Sequence, residues 1–411
     1  MSLIVPGQSF LACKKSLYSK EGVFMPVITT LEELKEYARD YKNVPVAKEI
    51  LSDMVTPIEA MRRLKAISSR VYILESVINQ AYTGRYTFLG YDPKIALSLR
   101  NHLLTVKDLR SGDINEVSIS DDTYRTPGEY MKELLKEYRS PVLDKLPGFT
   151  GGLVGYFAYD YIKYSEPVLS LDARDTDGFS DMELMLYDKV IAFDNIRQKI
   201  VLIVNIPVEG LDENFSNALA ELDKIEELII DGKKADIPEG KLLSDFRPLF
   251  DKEEFCEMVE KGKHYIFEGD IFQVVLSNRL EADYSGSLFD TYRRLRTMNP
   301  SPYMFYFDID GVELAGASPE TLVKLDKGEL YTFPLAGTRP RGKTPEEDLR
   351  LEEGLLKDEK ELSEHNMLVD LGRNDLGRIS RYGSVEVVDY MSVHRYSHVM
   401  HIGSTVKGKR V

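Results

Sequence analysis

Between residues 71 and 206 the chain is built from short apolar runs joined mostly by brief turns, and that spacing limits the folds open to it. Residues 95–120 alternate apolar and polar side chains around turns such as Ser111-Gly112-Asp113, the pattern of antiparallel hairpins. Residues 183–206 read as a strand pair turning near Asp194-Asn195, and 71–75 and 86–89 read as further strands. The run F-T-G-G-L-V-G-Y at 149–156 is an apolar strand interrupted by glycines, which permit a bulge or a close backbone approach. Hairpins outnumber strand–helix–strand units. The expected class is therefore α+β, with antiparallel sheets packed as a sandwich and helices flanking them, rather than a doubly wound parallel sheet.

Helix starts are marked by capping residues. Thr30-Leu-Glu-Glu33 has the capping-box pattern, and Thr56-Pro57 and Thr344-Pro345 each put proline at the first helical position. Further helices are predicted at 127–138, 211–230, 251–268 and 287–298, with strands at 271–280, across 303–333, at 384–390 and at 396–407. A chain of 411 residues exceeds one ordinary domain. The loop G-K-K-A-D-I-P-E-G at 232–240 suggests a division into 27–240 and 241–411. Residues 1–26 hold Lys14, Lys15 and Lys20 but no long apolar core, so they read as a disordered extension and not as a signal peptide.

The net charge is −15, which argues against general binding to nucleic acid or to an anionic membrane. An anionic substrate would need positive charge supplied locally, and a metal ion is one economical source. Cys13 and Cys256 are far apart and form no CxxC pattern, so neither a disulfide framework nor a zinc site is expected, and a reducing cytoplasm fits. No apolar run approaches the length of a membrane span.

Candidate chemistry gathers in the last hundred residues. In the helical run 358–371, Asp358, Glu361 and Glu364 stand three residues apart on one face. They could hold a hard cation such as Mg²⁺, or form a solvated acidic face paired with Lys357 and Lys360. Gly337-Thr338 offers a backbone N–H and a hydroxyl to an anion, or is simply a turn. Glu320 in A-S-P-E could act as a general acid if buried. His398 and His401, on a strand, would face opposite sides, so one of them at most would line a cleft. Gln273 in G-D-I-F-Q is a neutral donor and acceptor, weak evidence alone.

Together these stretches resemble the chorismate-utilising enzymes, and within them component I of anthranilate synthase. The resemblance runs through F-T-G-G-L-V-G-Y (149–156), G-D-I-F-Q-V-V-L-S (269–277), N-P-S-P-Y-M-F (299–305), A-G-A-S-P-E-T-L-V (315–323), P-L-A-G-T-R-P-R-G (334–342), D-E-K-E-L-S-E-H-N-M-L-V-D-L-G-R-N-D (358–375) and Y-S-H-V-M-H (396–401). It implies conversion of chorismate and ammonia to anthranilate and pyruvate, the ammonia coming from glutamine through an amidotransferase partner. It implies Mg²⁺ at Glu361 and Glu364, Glu320 as the general acid for departure of the C4 hydroxyl, His401 beside the substrate ring, and Gly337 and Thr338 as substrate contacts. Relatives that add water to chorismate carry a basic lysine where this chain has Gln273, and aminodeoxychorismate synthases carry a nucleophilic lysine where it has Ala336. Glutamine and alanine there point to ammonia as nucleophile, with aminodeoxychorismate synthase as the alternative. The resemblance also implies feedback inhibition by tryptophan at Leu74, Glu75 and Ser76 with Asn299, Pro300, Ser301, Pro302, Tyr303 and Met304. Glu75 would pair with the amino group, and Pro302, Tyr303 and Met304 would face the indole.

Members of this family continue past V-M-H into a G-T-x-S-G-A-P-K segment, a second pair of metal-binding glutamates and cationic contacts to the substrate carboxylates. These motifs do not follow Gly403. The resemblance therefore implies C-terminal strands missing from 1–411 and an isolated chain that makes no anthranilate by itself. A non-catalytic homologue that retains tryptophan or partner binding is the second expectation.

Overall fold

The computed structural model describes residues 27–76, 84–120, 124–166, 168–169, 177–396 and 398–411. The expected N-terminal extension lies outside these residues. The chain forms two compact units that divide between Ala317 and Ser318.

In the first unit, a seven-stranded sheet has the order Asn43–Leu51, Lys199–Pro207, Lys189–Asp194, Tyr86–Tyr91, Arg70–Glu75, Tyr303–Ile309 and Val312–Ser318. Pairings among its first six strands are antiparallel. A second, fully antiparallel sheet has the order Ile114–Ser118, Leu103–Asp108, Ile95–Arg100, Met182–Tyr187 and Gly152–Phe157. The two sheets pack face to face as expected. Tyr72 and Phe307 from one meet Val154, Met185 and Tyr187 from the other in a single buried cluster, with the Tyr72 and Tyr187 rings edge to face at 4.7 Å. Burial of such large side chains supplies much of the force holding the layers together.

Helix Leu211–Asp231 buries Leu211, Ala218, Leu222, Ile225 and Ile229, a helical stripe packed in the same core as Val46, Ile200 and Leu202 of the larger sheet. The predicted caps form: Thr30, Thr56 and Thr344 each accept the N–H of the residue three positions on. In the glycine-rich run, Gly151 sits at φ +150°, and a Cβ there would lie 2.6 Å from Asn205 Nδ2. The close approach that the glycines suggested is real, and it is made against the amide of Asn205.

Two expectations need revision. The strand predicted at 271–280 shrinks to Leu280–Glu281, paired with Arg247–Pro248. An apolar run becomes a strand only where an edge accepts its backbone; among the described residues no strand pairs with 271–279, and Phe272 and Val275 stay exposed. The compact units also divide well after the 232–240 loop. Helix Phe289–Met298 and strand Tyr303–Ile309 place Phe289, Tyr292, Met304 and Tyr306 in the core of the larger sheet, so residues 289–317 belong with the N-terminal half.

The second unit is a five-stranded antiparallel sheet centred on Val399–Lys409. That strand pairs along one edge with Glu329–Thr332 and Leu335–Pro340 and along the other with Glu386–Arg395; Lys324–Asp326 extends the sheet beyond Glu329–Thr332. Helices Pro345–Leu355 and Glu359–Gly377 cover it. The second helix turns His365, Val369, Gly372 and Leu376 inward. His365 is fully buried and its Nε2 lies 2.7 Å from Ser404 Oγ, which ties the helix to the central strand.

Candidate active site

The second unit contains a cavity of about 360 Å³ lined by Pro319, Glu320, Leu335, Ala336, Gly337, Thr338, Glu361, Glu364 and His401. Six of the residues singled out by sequence converge there from four elements. Gly337 and Thr338 come from strand Leu335–Pro340, His401 from Val399–Lys409, Glu361 and Glu364 from helix Glu359–Gly377, and Glu320 from just beyond Val312–Ser318.

The local geometry is set by a β-bulge. Ala336 pairs with Ile402 and Thr338 with His401, leaving Gly337 unpaired between them. Gly337 adopts φ +68°, a left-handed conformation that suits glycine. The bulge aims Thr338 at the histidine: Thr338 Oγ1 is 3.0 Å and the Gly337 carbonyl 3.2 Å from His401 Nδ1. A carbonyl can only accept, so Nδ1 is the donor in that contact. Tyr396 packs edge to face against His401, with ring centroids 5.7 Å apart. Burial, and secondarily the charge of Glu320, push the Tyr396 phenol above its ordinary value.

Asp358 departs from the expected carboxylate face. It is the N-cap of the helix, accepting from Lys360 N at 3.1 Å and Glu361 N at 3.3 Å. These backbone N–H groups, then Arg339, hold its carboxyl below the usual range. The pair left in the cavity is Glu361 and Glu364. Arg339, which sequence reading passed over, donates to Asp358 Oδ2 at 2.7 Å, to the Thr338 carbonyl at 2.8 Å and to Glu361 Oε1 at 3.4 Å. It puts a fixed positive charge beside the cavity. The signal was its place in T-R-P-R, directly after Thr338.

Other candidates fall differently. Glu320 sits on the rim and is exposed, so the burial that the general-acid reading asked for is not provided by the described residues. His398 is exposed and lies just before the strand, outside the cavity lining. Gln273 belongs to the first unit and is also exposed. Ala336 does line the cavity, with 8% of its surface exposed, so the side chain at this position faces the reaction space. Among the described residues no third His, Cys, Asp or Glu joins Glu361 and Glu364 in a metal-binding group. Two carboxylates fit a hard cation that keeps several waters.

In the first unit the two expected tryptophan elements are neighbours. Strand Arg70–Glu75 pairs with Tyr303–Ile309 so that Glu75 faces Met304 and Leu74 faces Phe305. The Glu75 carboxylate is nevertheless occupied: Tyr292 Oη and Arg296 Nε donate to Oε1, and Arg296 Nη2 donates to Oε2 at 2.8 Å. Ser76 Oγ is buried, with no hydrogen-bond partner among the described residues.

No helix among the described residues is long and apolar enough to cross a membrane. Residues 102–410 match the chorismate binding enzyme family. The chain is 40% identical to anthranilate synthase component 1 of Acetivibrio thermocellus over 388 residues, 92% of this chain and 77% of that protein. It is also 40% identical to the protein of the same name from Aquifex aeolicus, covering 92% of this chain and 76% of the relative. The crystal structure of anthranilate synthase component I from Streptococcus pneumoniae superposes with a TM-score of 0.65 at 35% identity, over 88% of this chain and 76% of that one. The isochorismate synthase MenF of Escherichia coli shares the fold at 15% identity and a TM-score of 0.58, over 92% of this chain and 75% of its own. With its site residues gathered around one cavity and its sequence matched over most of its length, the chain belongs to the chorismate binding enzyme family.

Proposed function

We propose that this chain is the chorismate-converting component of an anthranilate synthase. Ammonia adds at C2 of chorismate and the C4 hydroxyl departs as water; loss of the side chain as pyruvate then leaves anthranilate. The observation that carries this reading is the single cavity shared by Glu320, Gly337, Thr338, Glu361, Glu364 and His401. Thr338 and the Gly337 backbone contact the substrate. Glu320 delivers a proton to the leaving hydroxyl. His401, locked by the Gly337 carbonyl, presents Nε2 beside the ring. Glu361 and Glu364 would hold Mg²⁺, which when bound offsets the charge of the dianionic substrate.

Ala336 in the lining favours ammonia as the incoming nucleophile, because it offers no side-chain amine to attack the ring. Gln273 fits the same choice, since a neutral amide does not take a proton from water near pH 7. A glutamine amidotransferase subunit supplies the ammonia. Tryptophan acts as feedback inhibitor at the junction of Leu74–Ser76 with Asn299–Met304, where a ligand ammonium would have to displace Arg296 from Glu75. Calorimetric titration with tryptophan should show saturable heat; its absence would remove the inhibitor from this reading.

The function is tested by anthranilate fluorescence from the protein in its complete native assembly, given chorismate, an ammonium salt and Mg²⁺. Anthranilate should be the product, and Glu320→Gln should slow its formation about 100-fold or more, the range of general acid catalysis. Chorismate turned over to isochorismate or aminodeoxychorismate instead would overturn it.

A further inference from the structure

The glycine-rich run at 149–156 takes no part in the chemistry above, yet two of its residues line a second space. In the first unit Gly151 and Gly152 border a cleft of about 800 Å³, within the usual size range of small-molecule sites. Strand Lys199–Pro207 contributes Val204, Asn205 and Ile206 to it, and helix Leu211–Asp231 contributes Ala218. None of the residues assigned to chorismate or tryptophan borders this cleft.

Its electrostatics differ from those of the chain as a whole. The chain carries −15 overall, but the acids of the cleft are already paired. Asp188 accepts from Arg110 at 2.7 Å, and Asp92 from Lys189 at 2.7 Å. Glu221 meets Lys189 at 3.5 Å and Lys224 at 3.7 Å. Two further lining cations have a different surrounding. Lys94 Nζ stands over the Tyr138 ring, 4.8 Å from its centroid, and the Arg139 guanidinium stands over Tyr41 at 5.2 Å. Among the described residues neither forms an ion pair with a carboxylate. An aromatic face orients a cation without neutralising it. The cleft therefore offers two positioned charges, one of them an arginine fork suited to bidentate oxyanions, beside an apolar wall that includes Leu186, Val204 and Ile206.

We propose that this cleft is a second ligand site for a compact organic anion, a carboxylate or phosphate monoester whose charged end is held by Lys94 and Arg139 and whose apolar body lies on the wall near Val204 and Ile206. Such a ligand sets an anion against two cations that rest on aromatic rings, Lys94 having besides, among the described residues, only the longer-range field of Asp108. Asn217 lines the cleft and is exposed.

The test is isothermal titration of the full chain with benzoate and, separately, phenyl phosphate, which distinguishes the two kinds of charged end. At least one probe should bind saturably. The double variant Lys94→Gln, Arg139→Gln should weaken that binding tenfold or more. Asn217→Trp, which narrows the cleft from an exposed position, should weaken it as well. Arg139→Lys, which keeps the charge but loses the fork, should bind more weakly than wild type and more tightly than the double variant, and near-UV circular dichroism reports whether each variant is folded. Saturation by neither probe, or unchanged affinity in a folded double variant, would overturn the proposal. So would binding abolished by Thr338→Val and untouched by the double variant, which would put the probe in the chorismate cavity.

Discussion

At Gly337 the backbone stands at φ +68°, and a Cβ would lie 3.2 Å from both Ile402 Cδ1 and Leu355 Cδ1 and 3.4 Å from Glu361 Oε2. Gly337→Ala should therefore cost about 1–2 kcal/mol from backbone conformation alone. The added methyl should also disturb the placement of Glu361, read as weaker Mg²⁺ dependence of chorismate turnover together with a lower melting temperature. Elsewhere Glu313 shows how one carboxyl can carry a pH response. Burial pushes its pKa up, but hydrogen bonds from Ser287, Tyr306 and the Leu288 amide, with the nearby Lys65 charge, outweigh it and leave the group below its ordinary value of 4.5. The unfolded chain then takes up the proton first as pH falls. The stabilisation is complete above about 4.5 and is lost as pH drops through the lower folded value. Thermal melts between pH 7 and 3 should show this loss, and Glu313→Gln should flatten that part of the curve. A Glu313→Gln profile as steep as wild type would contradict it.

Helix Glu359–Gly377 carries both cavity carboxylates and is fixed at two points. Asp358 caps its start, and His365 meets Ser404 on the central strand. Ser404 Oγ also accepts the Met391 N–H at 2.9 Å, so one hydroxyl joins three elements. Asp358→Ala should lower stability by about 1 kcal/mol as an N-cap loss, and releasing Arg339 should change the Mg²⁺ requirement; Asp358→Asn should keep most of the cap while still losing the ion pair. Urea melts and Mg²⁺ titrations of the two variants separate these effects. Much at this scale could be read in the sequence. Thr30, Thr56 and Thr344 announced their helices because a cap is a local hydrogen bond between residues three apart. The bulge at Gly337 was legible only as a glycine, because a register shift belongs to two strands at once. Asp358 was misread for a related reason: at a helix start the same carboxylate can continue a face or cap the end, and only the position of the first turn decides. Residues 271–279 looked like a strand because apolar content says nothing about whether an edge is available. Arg339 was signalled only by its place beside Thr338, because its contact with Glu361 joins a strand to a helix 22 residues away, and Tyr396 carries no spacing signal for its packing on His401.

Across the whole molecule the sheets are joined by pairings between distant parts of the chain. Arg296 and Glu75 are 221 residues apart yet share a partly buried ion pair, and strand Tyr303–Ile309 is hydrogen-bonded to Arg70–Glu75. Arg296→Ala would leave the Glu75 carboxylate, which is 3% exposed at the side chain, with the Tyr292 hydroxyl still donating to it, and should cost about 1.5–3 kcal/mol, the range for a lost hydrogen bond to a charged group. Arg296→Ala with Glu75→Gln should recover part of that loss, measured by chemical denaturation. The same strand pairing bears on how the protein is made. While a ribosome is still translating the residues that follow Glu75, the edge of Arg70–Glu75 has no permanent neighbour on one side, and it gains one only after Ile309 has left the exit tunnel. For most of its synthesis the nascent chain exposes an adhesive strand in the middle of its future sheet. Pausing before residue 309 should therefore promote aggregation far more than pausing after it.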